Sequence, residues 1–308
     1  ASMRIQLQPD GPLDVDQTLA RYRIWGEDPA NRLVGRTFRR AVSIDGRLRG
    51  YELTWTASVD DPRLSITIPG TRSGQVAQAV TGEVSRLLFL DADLPGFYRT
   101  AKSDGALREL IRPLYGMRPT LAPNPFEMLV GAISAQQVNL TFAVTTRSRL
   151  VRRFGRPVDV GGHTVYAFPE PAVLARAKVR ELRALQFSTR KAEYIVGLAR
   201  LVASGALDLD RLVNLPNEEI ISALTNVRGL GLWTAEWFLA RAAGRGDVCP
   251  AGDLAVRKAF EHFYGRGRTL SDRAIRRRAR RWGSHQNLAV HYLLVGMRLG
   301  RTKTGGGT

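Results

Sequence analysis

The apolar pattern of this chain changes period once, near Gly70, and that switch limits the folds open to it. Before Gly70, the stretches Thr37 to Ile44 and Arg49 to Ser58 are rich in β-branched and aromatic residues. They are joined through Asp45-Gly46, a strong hairpin signal. Asp60-Asp61-Pro62 turns the chain again, and Leu64-Ser65-Ile66-Thr67-Ile68 alternates like a half-buried strand. After Gly70, Val76, Val80, Val84, Leu87 and Leu88 recur at helical spacing and make one stripe. From about residue 93 nearly every segment carries the helical period. The order predicts an α+β protein. An N-terminal antiparallel sheet domain with a covering helix spans 1–92, an all-α body of two helical lobes spans 93–300, and 301–308 is a loose tail.

Helix ends in the body are well marked. Asn124-Pro125-Phe126-Glu127 sets an N-cap, a proline at the first helical position and a capping-box Glu. That helix carries Phe126, Leu129, Val130 and Ile133, then meets Gln136-Gln137-Val138-Asn139. Asn139 caps a second helix running to Arg153 and stopped by Gly155. Further helices are expected over about 171–186, 188–204, 217–226, 232–243, 254–263, 271–282 and 285–299.

Composition then narrows the partner. Lys+Arg is 46 against 28 for Asp+Glu, a net charge of +18, and only five of the cations are lysines (Lys102, Lys178, Lys191, Lys258, Lys303). An arginine-rich surface of that size implies a polyanion. The single cysteine, Cys249, excludes a disulfide scaffold, a four-thiolate zinc site and a cysteine-ligated iron–sulfur cluster. No apolar run approaches the length that crosses a bilayer. Behind Ala1-Ser2-Met3-Arg4, where Ala1-Ser2 reads as an added remnant, no secretion signal is visible. A cytoplasmic, monomeric protein with no cofactor and no protein partner is expected. The histidines at 163, 262, 285 and 291 lack metal-ligand spacing, so no metal site is expected either.

The most informative stretch is Leu224-Thr225-Asn226-Val227-Arg228-Gly229-Leu230-Gly231-Leu232-Trp233-Thr234-Ala235. A helix ends, two glycines make a tight turn, and a second helix starts at once. The exposed amides at that second N-terminus suit one phosphate, although an ordinary helical hairpin with a glycine cap has the same local pattern. Downstream, Asp247-Val248-Cys249-Pro250-Ala251-Gly252-Asp253 is a Gly/Pro-containing loop that ends on an Asp before the helix Leu254 to Phe260.

These two motifs, with Asp253 falling 20 residues after Trp233, resemble the signature of the helix-hairpin-helix DNA glycosylase superfamily. The body from about Phe126 to Gly300, preceded by a sheet, is most similar to the bacterial 3-methyladenine DNA glycosylase II group. The resemblance implies a base-excision-repair enzyme that flips an alkylated purine out of duplex DNA and hydrolyses its N-glycosidic bond. Asp253 is then the catalytic carboxylate as well as an N-cap, since such cleavage passes through an oxocarbenium-like sugar that a carboxylate stabilises. Asp247 is the nearest rival. Where glycosylases that also cut the backbone place a Schiff-base lysine, this chain has Trp233. A lyase needs an attacking amine, so a monofunctional enzyme is expected.

Trp233 and Trp237, one turn apart, are candidates for stacking on a cationic base, against a plain core role. The resemblance implies a base contact from Gln136 and a duplex-inserting wedge from Gln137, where a leucine is more usual. It also implies phosphate contacts at Arg228, Gly229, Gly231 and Thr234, with Arg228 standing where proline is frequent. By the same resemblance, Leu294 stands where a close relative has a pocket tryptophan. Eight arginines lie between 266 and 281, at 266, 268, 273, 276, 277, 278, 280 and 281. They suit either a solvated face or DNA contact, with steep salt dependence. Rival functions are removal of deaminated bases such as uracil or hypoxanthine, whose release needs more hydrogen-bond assistance, and a non-catalytic DNA-binding module.

Overall fold

The computed structural model describes residues 2–304. Its sheet region runs β1 (Ser2–Leu7), α1 (Val15–Leu19), α2 (Arg21–Ile24), β2 (Arg32–Val34), β3 (Thr37–Ile44), β4 (Arg47–Trp55), β5 (Leu64–Pro69) and α3 (Gly74–Leu87). The body continues with α4 (Leu94–Ala101), α5 (Gly105–Ile111), α6 (Pro125–Ala135), α7 (Leu140–Phe154), β6 (Arg156–Val160) and β7 (His163–Ala167). Then come α8 (Pro171–Arg176), α9 (Val179–Ala184), α10 (Thr189–Ala203), α11 (Leu209–Leu212) and α12 (Asn217–Thr225). The last are α13 (Leu232–Arg241), α14 (Leu254–Tyr264), α15 (Asp272–Ala279) and α16 (Gln286–Thr304).

The sheet is antiparallel with strand order β1-β5-β4-β3-β2. Asp45 and Gly46 close the β3–β4 hairpin with φ of +50° and +72°, the left-handed pair that a two-residue turn requires. Covering helix α3 buries Val76, Val80, Val84 and Leu87 on Phe38, Tyr51, Leu53, Leu64, Ile66 and Ile68. Each such side chain contributes about 1.5–3 kcal/mol. Within the expected strand region, α1 and α2 are helical, while β1 and β2 add edge strands.

The body is not all-α. Strands β6 and β7 form a hairpin through Gly161-Gly162, both at positive φ. Val160, Val165 and Ala167 cluster with Ala41 of the sheet. A Cβ at Gly50 would collide with Val160, so that glycine lets the hairpin close onto β4. Two expected helices also change. The span 171–186 breaks into α8 and α9. The span 271–282 stops at Ala279 and continues as a 3-10 turn through Arg280–His285, where Gly283 has φ of +55°. At the end of the chain, 301–304 extend α16 instead of joining a loose tail; the remainder of that tail, 305–308, lies outside the described residues.

The helices form two lobes with separate cores. One gathers Phe126, Leu129, Ile133, Leu150, Ile195, Leu224 and Phe238. The other gathers Phe97, Leu114, Phe260, Trp282, Tyr292 and Leu293. Trp237 packs partly against both and so marks where the lobes meet.

A buried charge cluster ties the sheet to the first lobe. Arg40 of β3 donates to Glu83 of α3 and, through both terminal nitrogens, to Glu127 of α6. Arg147 of α7 bridges Asp28 and Glu127. Asn31 and Tyr51 donate to carboxylate oxygens that these arginines already hold.

Candidate active site

The hairpin between α12 and α13 is built from its apolar anchors outward. Val227 and Leu230, 9% and 5% exposed, plug into the first lobe. Bonds from Val227 N–H to Leu224 O and from Leu230 N–H to Val227 O close the turn. Gly229 has φ of +93°, and a Cβ there would run into the Tyr194 ring, so both backbone and packing demand glycine. Gly231 differs. Its backbone is extended (φ −108°, ψ −174°) and a Cβ would meet nothing within 4 Å. The chain itself does not need glycine at 231; a bare backbone there leaves room for something outside it. As N-cap of α13, Gly231 supplies no side-chain oxygen, so the first-turn amides stay available to an anion.

Asp253 sits at the N-cap of α14, at the end of a loop pinned by buried Val248, Cys249 and Ala251. Its Oδ1 accepts from the amides of Ala255 (2.8 Å) and Val256 (3.0 Å). Its Oδ2 accepts from the indole Nε1 of Trp233 (2.6 Å) and of Trp237 (3.2 Å). Four donors therefore fix the carboxylate in orientation and occupy both oxygens. This geometry suits a stationary negative charge better than a proton acceptor. The spacing of the two tryptophans on one helix face, expected from sequence, is what lets both indoles reach one oxygen.

Other expected site residues are placed unevenly. Gln136 caps α6, and its Nε2 donates 2.9 Å to the carbonyl of Gly229. Its amide N–H groups are thus turned to holding the hairpin, a role not expected from sequence. Lys191 adds a second tie, Nζ to the carbonyl of Ser134 at 3.0 Å, and burial lowers the pKa of its amine. Directly after these ties Gln137 is exposed, with φ of +55°, an uncommon conformation for a residue with a side chain. Arg228 is exposed, pairs with Glu193 (3.0 Å) and lies over Tyr194. A surface pair of this kind contributes little and exchanges readily for a phosphate. Thr234 is 1% exposed, which corrects its expected DNA contact: the accessible residues at this helix start are Gly231 and Leu232. Asp247, the rival carboxylate, is exposed and accepts from Asn217. Burial pushes the Cys249 thiol up to about 12, so it is inert.

Sequence reasoning gave no site role to three further side chains, Arg241, His291 and Arg298. Arg241 lies one turn beyond Trp237, with its guanidinium carbon 5.1 Å from that ring's centroid. It donates to Asn287 Oδ1 (2.5 Å) and contacts His291 Nδ1 (3.3 Å) on α16. Farther along α16, Arg298 lies over Trp25, 5.3 Å from its centroid. Burial, reinforced by Arg241, Arg298 and Arg21, holds His291 well below the ordinary histidine range. The usable signal was the helical spacing itself: Trp237 with Arg241, and His291 with Arg298, two turns apart.

Of the eight-arginine run, Arg276 is structural. It grips buried Glu236 of α13 through two bonds of 2.8 and 2.9 Å. Arg278 stacks on Tyr264. Arg273, Arg277, Arg280 and Arg281 are exposed, and none has an ion-pair partner among the described residues. Also among the described residues, no cluster of three or more His, Cys, Asp or Glu could hold a metal ion, and no helix is long and apolar enough to cross a membrane.

Comparison with known proteins gives concordant results. A family model described as HhH-GPD superfamily base excision DNA repair protein matches residues 130–285. A DNA-3-methyladenine glycosylase of Bacillus subtilis is 31% identical over 204 residues, covering 66% of this chain and 67% of the relative. Among solved structures, the 3-methyladenine DNA glycosylase of Archaeoglobus fulgidus superposes with a TM-score of 0.85 at 29% identity, over 96% of this chain and 98% of that one. An 8-oxoguanine glycosylase/lyase of Clostridium acetobutylicum in complex with double-stranded DNA shares the fold alone. Its TM-score is 0.75 at 16% identity, over 97% of this chain and 98% of that one. With half its length matched by the family model, this chain belongs to the HhH-GPD superfamily of base excision DNA repair proteins.

Proposed function

We propose that this protein removes alkylated purines of the 3-methyladenine class from duplex DNA, leaves an abasic site and does not cut the strand. The observation that carries the reading is the Asp253 carboxylate, held by two indoles beside an uncapped, glycine-lined helix start. The relatives named for 3-methyladenine support the same substrate class.

The hairpin amides at Gly231 and Leu232, with Arg228, hold a backbone phosphate next to the target nucleotide. Gln137 enters the stack as the damaged nucleotide rotates out, offsetting part of an unstacking cost of a few kcal/mol. The C1′–N bond then breaks heterolytically, and its electron pair leaves with the base. A purine alkylated at a ring nitrogen starts cationic and departs neutral, so it needs little acid assistance. The sugar is left as an oxocarbenium ion facing Asp253, whose fixed charge stabilises it until water adds at C1′ and loses a proton to solvent.

Position 233 is a tryptophan, Lys191 is engaged with a backbone carbonyl, and Lys258 lies beyond the first turn of α14. These placements support release by hydrolysis alone, since a lyase needs an amine aimed at the sugar. The test is base release from a duplex holding one 3-methyladenine or 7-methylguanine, with strand breaks scored before and after alkali. Release with breaks only after alkali is expected. Breaks without alkali would overturn the hydrolytic reading, and absence of release would overturn the substrate class.

A further inference from the structure

The contact between the two indoles and Asp253 crosses the junction of the lobes. Trp233 and Trp237 ride on α13, whose Ala235, Phe238 and Leu239 belong to the core of the first lobe. Asp253 opens α14, whose Val256, Ala259 and Phe260 belong to the core of the second. The two bonds to Oδ2 are therefore only as well aimed as the lobes are held. A second contact crosses the same junction beside them. Glu236 lies between the two tryptophans on α13, and its carboxylate is 7% exposed. Arg276 of α15 grips it with both terminal nitrogens, Nη1 to Oε2 at 2.9 Å and Nη2 to Oε1 at 2.8 Å. Ile275 and Ala279 set α15 itself into the second core. The same Nη1 donates 3.3 Å to the carbonyl of Cys249, four residues before Asp253 in the loop that delivers it. One guanidinium thus holds both the helix that carries the indole donors and the loop that carries the acceptor.

A planar fork on a carboxylate fixes distance and angle together, which a point charge does not. A third bond to a backbone carbonyl adds the loop to the same frame. We propose that Arg276, acting through Glu236 and the Cys249 carbonyl, is a positioning residue for base release. It sets α13 against the Asp253 loop, so that both indoles stay on Oδ2 and the carboxylate keeps the orientation that stabilises the sugar cation. Arg276 touches neither base nor sugar in this account. The inference rests on the role proposed for Asp253 above and deepens it.

The test separates placement from stability and from charge. Arg276→Met alone strands a buried carboxylate and should lower both the melting temperature and the rate of release. Adding Glu236→Met removes the stranded charge, and the melting temperature should return close to that of wild type, because an apolar pair replaces a buried ion pair at little cost. The fork is not restored. Single-turnover release of 7-methylguanine at saturating enzyme should therefore stay about ten- to a hundredfold below wild type in the double variant, with unchanged affinity for the duplex. Arg276→Lys keeps the charge and loses the fork. It should bind DNA with the wild-type salt dependence and release the base at least about fivefold more slowly, and it carries the test should the double variant fold poorly. Release within about threefold of wild type in either variant would overturn the proposal, as would a slower release matched by an equal loss of DNA affinity. Wild type that releases no 7-methylguanine contradicts the glycosylase reading itself.

Discussion

At the junction between sheet and body, Arg40 and Arg147 are nearly buried and each is gripped by carboxylates. Where the lobes meet, Arg241 and Arg298 have no carboxylate partner among the described residues. Burial opposes charge in both places, yet the consequences diverge. At the junction, burial alone would raise the pKa of Asp28, but Arg147, Asn31 and the Ala30 amide hold it below its ordinary value. Where the lobes meet, burial and Arg21 push Arg241 down to about 9 with nothing to compensate. Charge that is matched inside the chain stabilises the joint between two regions of the fold. Charge left unmatched where the lobes meet marks a candidate functional position. Identical residue types in an arginine-rich chain therefore separate by partner rather than by position in sequence.

The largest effect is expected where matching is complete. Glu127→Gln leaves two buried arginines short of a partner and should cost about 3–5 kcal/mol in urea or thermal unfolding. A loss under 1 kcal/mol would place the junction with ordinary surface pairs. The two hairpin glycines draw the same line on a smaller scale. Gly229→Ala should lose about 1–3 kcal/mol of stability through the Tyr194 clash and the positive φ. Gly231→Ala should keep its melting temperature while weakening DNA binding; equal stability losses would erase the distinction.

The exposed arginines come next. Arg277→Gln with Arg281→Gln should leave unfolding unchanged and flatten the slope of log affinity against log salt, by up to about 2 if both neutralise phosphates. The smallest effect concerns His291. Its pKa is depressed in the folded protein, so the unfolded chain binds a proton that the folded one does not. The stability it contributes is complete above about 6.5 and is lost as pH falls below that value. Between wild type and His291→Gln, the difference in this loss at pH 5.5 should be about 1 kcal/mol, read from melting curves.

Much of the site was legible because it is local. A hairpin of two glycines, an N-cap Asp and two tryptophans one turn apart are short-range patterns, and each forms where its spacing implies. The Asp45-Gly46 turn and the Asn124 cap were legible for the same reason. What escaped is long-range or weakly marked. The β6–β7 hairpin has alternating valines around Gly161-Gly162, but its partner, Gly50 of β4, lies far away in sequence. Gln136 reads as a base contact until the fold brings the Gly229 carbonyl to it. Nor does sequence distinguish Arg40, buried among acids, from Arg277, bare on the surface. Only the tertiary fold assigns each arginine a partner.

Asp253→Asn separates the proposed role of Asp253, as a charge on the reacting sugar, from its role as the cap of α14. Asparagine caps helices as well as aspartate does, so the variant should fold and bind duplex DNA like wild type. Release of 3-methyladenine under single-turnover conditions is predicted to fall at least about a hundredfold. Release within threefold of wild type, in a variant that binds DNA normally, would contradict the account.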